Sequence, residues 1–370
     1  MQTPSARSTH GSRKHSAAPR TWFTVTAAFA IAALTSCSSS APPRKFSGEI
    51  AGASCTTPPP LHCPDADCPI QLIGNLGNAV EPRTGRKFFL DFPCDRQPGE
   101  KLTFVLNLHG GGSIGNWQRH YFPIMDLKEK YRLVVATPSG VVRAWDPGND
   151  DEHLRNIVAL VYEQFGAENI KAFWLAGHSQ GGQTSNRLLL EDFYRDRLTG
   201  WVSLSGGRLG SKRSEVRAPI PSAPGAPPPP RPRRPPGAAV RGDPLLVADA
   251  SILPEYNFSH IYVTGEHELT SAGLPDHSPW AAQLHCSKRV RRPDIVDSKA
   301  GYVYDTREQP NPNPVWGFKA RPGTAEVFVY PNCEKGRVVA DIVRMDKGHT
   351  EGLEPMITEQ IVRLMMSAGS

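Results

Sequence analysis

The 370-residue sequence predicts an α/β fold, a mostly parallel sheet covered by helices on both faces. Three observations predict it. From residue 101 onward, short apolar runs such as Leu102–Leu108 (LTFVLNL) alternate with segments whose apolar residues recur at helical spacing. The runs are continuous in apolar character, as strands buried on both faces are. Most of them stop at clusters of glycine, proline or serine, which suits strand-to-helix turns.

The first residues stand apart from that pattern. Residues 1–20 carry Arg7, Arg13, Lys14 and Arg20 and no acid. A thirteen-residue apolar run from Trp22 to Leu34 follows, too short to span a bilayer but suited to the core of a signal peptide. It ends in Leu34-Thr35-Ser36-Cys37, which resembles a bacterial lipobox. In that pattern Cys37 is lipidated and becomes the new N-terminus. Residues 1–36 are therefore expected to be a lipoprotein signal peptide and 37–83 a tether with a Cys-rich lead-in. Residues 84–370 form the α/β domain, with a proline-rich insertion at 218–238. Losing 1–36 lowers the formal charge from +6 by four, to +2. No case for a nucleic-acid partner survives that loss.

Six further cysteines remain: Cys55, Cys63, Cys68, Cys94, Cys286 and Cys333. An even number in an exported chain suggests up to about three disulfides, with about 15 possible pairings and no sequence rule to choose among them. A zinc site from His62, Cys63 and Cys68 is disfavoured, because paired CxxC spacing is missing and the compartment is oxidising. No metal is expected.

Taken in order, Lys87–Phe92 (KFFLDF) predicts a strand, antiparallel at a sheet edge. Leu102–Leu108 ends at a glycine cluster, and Tyr131–Ala136 ends at Thr137-Pro138-Ser139-Gly140. Leu154, Ile157, Val158, Val161 and Phe165 mark a helix that Asp150 and Asp151 can cap. Ile170–Ala176 is the next strand, a helix spans about 182–194, and Gly200–Leu204 is a strand. Ten prolines then fall within 218–238, a run that cannot build a core. Arg208, Lys212, Arg213, Arg217, Arg231, Arg233 and Arg234 make that region basic. It is a tolerated surface insertion or, functionally, a lid or a contact with acidic polymer or membrane. Beyond it, His260–Thr264, Glu326–Tyr330 and Val338–Val343 are strands. Leu353, Met356, Ile357, Ile361 and Leu364 mark a final helix.

Gly177-His178-Ser179-Gln180-Gly181 is a G-x-S-x-G sequence. Alone it is weak, but it follows an apolar strand directly and precedes a helix, the setting a nucleophile elbow needs. Such a turn lifts the Ser179 hydroxyl above the sheet and aims the Gln180 N–H at a developing oxyanion. Upstream, Leu108-His109-Gly110-Gly111-Gly112 ends a strand as the oxyanion loop of lipases and esterases does. The base is expected at His349, in Lys347-Gly348-His349-Thr350, between the last strand and the last helix. That is where the chain order Ser…acid…His puts it. His178 lies within the elbow and cannot easily turn onto the serine, and His109 suits a structural role. The acid should follow His260–Thr264, and Glu268 is preferred, with Glu266 and Asp276 as alternatives.

These residues resemble a known family. LNLHGGG, VVATPSG, NDDEHLRNIV and GHSQGG are similar to the secreted polyhydroxyalkanoate depolymerase and feruloyl esterase group of the α/β-hydrolase superfamily. Residues 85–205 carry the resemblance well and 258–366 loosely. That family supplies its acid from an H-G-T-x-D motif, three residues after the glycine. The same spacing here gives Glu268, a glutamate in place of the aspartate. The resemblance implies the α/β-hydrolase fold, an oxyanion hole from Gly111, Gly112 and Gln180, and no cofactor or metal. It also implies Trp145 as a substrate wall, although tryptophan more often simply packs. The substrate it implies is a carboxylic ester, polyester-like or feruloyl- or acetyl-ester-like, attacked by Ser179 through an acyl-enzyme. A serine peptidase of the same fold and an inactive surface-binding lipoprotein are the rival readings. The expected partners are the ester, polymeric in one version, and the membrane through the lipid anchor. The expected location is the periplasm or cell surface.

Overall fold

A computed structural model of the chain describes residues 48–55, 76–217, 250, 252–304 and 314–369. Residues 1–36, expected to be a signal peptide, and Cys37, His62, Cys63, Cys68 and residues 218–238 lie outside the described residues.

Among the described residues, ten strands form one sheet. They are β1 (Ala79–Val80), β2 (Lys87–Asp91), β3 (Leu102–Leu108), β4 (Leu133–Pro138), β5 (Ile170–His178), β6 (Gly200–Leu204), β7 (Ser259–Gly265), β8 (Val290–Asp297), β9 (Gly323–Tyr330) and β10 (Val339–Met345). Their spatial order is β1-β2-β4-β3-β5-β6-β7-β10-β9-β8. The run from β4 through β3, β5, β6 and β7 to β10 is parallel. This order, with β3 and β4 exchanged and a serine turn after β5, is the α/β-hydrolase fold. The central strands are buried on both faces, as their continuous apolar runs predict. Along β3, Phe104 and Leu106 enter one core with Leu154, Ile157 and Val161 of the helix Pro147–Phe165. Val105 enters the other core, with Trp117 and with Ile357 and Ile361 of the helix Pro355–Met366. Successive side chains of a strand point to opposite faces, so one apolar run serves both layers.

Several elements differ from expectation. β2 is antiparallel to β4 but is not the edge, because β1 pairs outside it. β9 is antiparallel to β10, so the sheet is mixed on that side. β8 forms the far edge, and its sequence VRRPDIVD hides it. Pro293 falls where the register with β9 shifts between Arg292 and Ile295, a place where a strand tolerates a missing N–H. The helix expected after Asp150 and Asp151 begins earlier, capped by Asp146, whose carboxylate accepts from Gly148 N at 3.1 Å. Pro147 fits the first turn, where no N–H is needed. The helix Gly115–Tyr121 was not legible, because all seven of its residues are buried and no polar face alternates with an apolar one.

Cys55 is bonded to Cys94, and Cys286 to Cys333. Disulfides of this kind belong in an oxidising compartment. Among the described residues no helix is long and apolar enough to cross a membrane.

Because the central strands are parallel, their C-terminal ends open on one rim. His109 follows β3, Ser179 follows β5, Ser205 follows β6, Glu268 follows β7 and His349 follows β10. Ligand crevices of open α/β sheets form on this rim.

Candidate active site

Ser179 sits between the last residue of β5 and the first residue of the helix Gln180–Leu188. The helix therefore starts immediately after the serine, two residues earlier than the sequence predicts. Ser179 has φ 51° and ψ −114°, a backbone state that L-residues adopt only under constraint. The constraint is visible around it. A Cβ on Gly177 would stand 2.4 Å from Gly181 C, and one on Gly182 would stand 2.6 Å from Gly206 Cα. Only bare backbones let strand, turn and helix come this close.

The structure brings three of the expected side chains into one chain of contacts. His349 Nε2 is 2.8 Å from Ser179 Oγ, and His349 Nδ1 is 2.7 Å from Glu268 Oε2. Ser179 is half-buried, while His349 and Glu268 are buried. The other Glu268 oxygen accepts from Ser205 Oγ at 2.6 Å and Gly265 N at 3.0 Å. Burial would push the Glu268 carboxyl up, but Arg217, His349 and the Ser205 hydroxyl outweigh it and hold it well below the usual carboxylate range. For His349, burial and the Arg217 charge draw the imidazole below its ordinary value against the opposite pull of Glu268.

The two alternative acids lie elsewhere. Glu266 is exposed and accepts from Asp346 N at 2.7 Å, and Asp276 pairs with Arg289 at the surface.

The glycine loop after β3 departs from expectation at one residue. Gly112 N donates to Arg143 O, in the loop after β4, at 2.6 Å, so this amide is spent on a contact between two loops and cannot serve a substrate oxygen. Gly111 lies against the elbow, its Cβ position 3.2 Å from Gln180 Oε1. Of the three residues expected to donate, that leaves Gly111 and Gln180, the latter at the first position of the elbow helix.

His109 has a structural place. Its Nε2 accepts from Gly140 N at 2.9 Å, and its Nδ1 lies 2.7 Å from Gly110 O, so the ring pins the glycine loop to the turn after β4. Burial lowers it to about 4, which keeps it neutral. Trp145 packs on His109 with ring centroids 4.5 Å apart and donates its indole N–H to His109 O at 2.7 Å. Its role is packing rather than a wall of the crevice. His178 turns away from the serine, as expected, and its Nε2 is 2.8 Å from His349 O.

Arg217 and Trp316 escaped the sequence reading. Arg217 donates to Glu268 Oε2 from within the core, and the Trp316 ring is 5.4 Å from the His349 ring. Arg217 stood in a basic stretch before the prolines, and nothing in that stretch marked one arginine as buried. Trp316 follows a run of prolines and asparagines with no periodicity. Among the described residues, no group of three or more His, Cys, Asp or Glu side chains is arranged to hold a metal ion.

No protein-family model matches this chain, and no curated protein matches it. Solved structures do. The chain is similar to FphF, a fluorophosphonate-binding serine hydrolase of Staphylococcus aureus, with 17% identity and a TM-score of 0.26 over 32% of this chain and 52% of that one. It spans about half the length of that protein. An acetyl xylan esterase from Aspergillus awamori is 12% identical, with a TM-score of 0.41, over 76% of this chain and 94% of that one. Est1E from Butyrivibrio proteoclasticus, with ferulic acid bound, is 14% identical, with a TM-score of 0.38, over the same 76% and 94%.

Proposed function

We propose that this protein is a serine carboxylesterase that cleaves carboxylic esters through an acyl-enzyme on Ser179. The observation that carries the reading is the unbroken chain from Ser179 Oγ through His349 to Glu268, on an elbow whose strained serine stands at the open rim of the sheet. His349 Nε2 takes the Ser179 proton as Oγ attacks the ester carbonyl. The Gly111 and Gln180 amides receive the oxyanion. The imidazolium returns its proton to the leaving alcohol, and the C–O bond breaks. Water, deprotonated by the same histidine, then releases the acid and frees Ser179. Glu268 holds the ring and offsets the charge it gains.

The sequence resemblance points within this class to polyester-like and feruloyl- or acetyl-ester-like substrates. Residues 84–370 form the catalytic domain in this reading, 37–83 its tether, and Cys37 the lipid anchor after loss of residues 1–36. Hydrolysis of p-nitrophenyl esters from acetyl to dodecanoyl tests the activity. Turnover by wild type and none by Ser179→Ala is the expected result. Equal turnover by both, or none by a folded, disulfide-intact wild type, overturns it. Labelling with a fatty acid, present in wild type and lost in Cys37→Ala, tests the anchor.

A further inference from the structure

Acyl transfer by a serine, a histidine and an acid requires no arginine, yet Arg217 is built into this one. Only 5% of its side chain is exposed. Nη1 donates to Ser205 O at 2.7 Å, and Nη2 donates to Glu268 Oε2. The same Nη2 lies 2.7 Å from His349 Nδ1. A backbone bridge pairs Arg217 with Leu269, the residue after the acid. The guanidinium is thus fixed from both sides at the junction of base and acid.

The three contacts at that junction cannot all be hydrogen bonds at once. If Nδ1 carries a proton, it donates to Glu268 Oε2 and has no lone pair for Arg217. If Nδ1 is bare, it accepts from Arg217, and the ring proton sits on Nε2, facing Ser179. That second tautomer cannot take the serine proton. Formation of the imidazolium also places a second positive charge beside Arg217.

Among the described residues, the charged surroundings of the ring are few. Glu268 faces it from the end of β7, and Arg217 and Arg213 act on it from the segment before residue 218. His178 on the elbow, neutral by burial, and Tyr121 both bind the His349 carbonyl, from 2.8 and 3.2 Å. Lys347 and Glu351, on the same loop as His349, pair with each other at 3.3 Å.

We propose that Arg217 is a positioning residue that competes with His349 for Glu268 Oε2 and thereby keeps the imidazole neutral into the acidic range. The proposal rests on the esterase reading and adds to it the residue that sets the base's working pH. Arg217 acts through Glu268 and His349 and touches no reacting atom.

Two readouts keep this proposal separate from the esterase reading. The His349 ring is titrated by histidine NMR, assigned with His349→Gln, in wild type, Arg217→Met and Arg217→Lys. The acid limb of kcat/KM on a p-nitrophenyl ester is measured alongside. The wild-type ring is expected to titrate below the ordinary imidazole value of about 6.5. The Arg217→Met ring is expected about one unit higher, and Arg217→Lys near wild type. The acid limb follows the ring. Coincident midpoints in wild type and Arg217→Met overturn the proposal, even if turnover falls, because that is what a purely structural arginine does. A wild-type midpoint at or above about 6.5 overturns it too, and this stands even if Arg217→Met does not fold. Absence of Ser179-dependent turnover counts against the esterase alone, since the NMR titration still reads the arginine.

Discussion

His178 donates from Nε2 to the backbone carbonyl of His349 at 2.8 Å, so the residue before the serine holds the main chain of His349. Tyr121 OH reaches the same carbonyl at 3.2 Å and packs its ring 4.1 Å from His178. The base loop is therefore registered against the elbow by contacts outside the reacting chain. His178→Phe should lower kcat by about ten- to a hundredfold with little change in KM, as a slightly misplaced base does. Steady-state kinetics on one p-nitrophenyl ester decides it, and an unchanged kcat would show the contact to be dispensable.

Ser179→Ala and His349→Ala should each remove about 10³-fold or more of kcat/KM, and the double variant should be no worse than either single one. Groups that act as one unit fail together. Losses that multiply in the double variant would mean that the two side chains act independently.

Glu268→Gln keeps the shape of the acid and removes its charge. The amide can present an N–H to Nδ1 and select the wrong tautomer, so a loss of about 10²–10⁴-fold in kcat is expected. Glu268→Asp shortens the reach but keeps the charge, and should retain more activity than Glu268→Gln. The reverse order would argue that Glu268 serves packing rather than charge.

Gly182→Ala should destabilise the fold by about 3 kcal/mol or more, because its Cβ would meet the Gly206 backbone at 2.6 Å and neither backbone can yield. Gly85→Ala, at φ +68° with nothing within 4 Å, should cost only about 1 kcal/mol. Denaturant midpoints of the two variants measure the contrast.

Acid should weaken the fold before it protonates carboxylates. Burial lowers His109, His120 and His153 to about 4 and His260 to about 3. Between about 6.5 and 4 the unfolded chain binds these protons and the folded chain does not, so stability rises with pH. The contribution is complete above about 6.5 and is lost as pH falls toward 4. A drop in Tm of at least about 5 °C from pH 7 to pH 4.5 is expected by calorimetry. A flat Tm would mean that these rings are wetter than the packing implies.

The parallel strands, the elbow and the approximate place of each group were legible in the residues themselves. Continuous apolar runs declare strands buried on both faces. Glycines at Gly177, Gly181 and Gly182 declare a turn where backbones touch. Chain order pointed to His349 and to an acid after β7, and the spacing of the family this chain resembles pointed to Glu268. Local pattern carries the strands and the turn, since each of those signals lies within a few residues of the feature it marks. The edge strand β8 was hidden because its exposed, charged sequence has no core to report. Gly112 was misassigned because its amide is spent on Arg143 O, a contact between two loops. Arg217 was read as one more surface cation because its burial depends on Ser205, Glu268 and His349 arriving from three separate strand ends. Sequence by itself determined the central strands, the turn at Ser179 and the side chains that could react. Tertiary structure alone decided which donors stay free and which charges meet, because those depend on contacts between residues far apart in the chain.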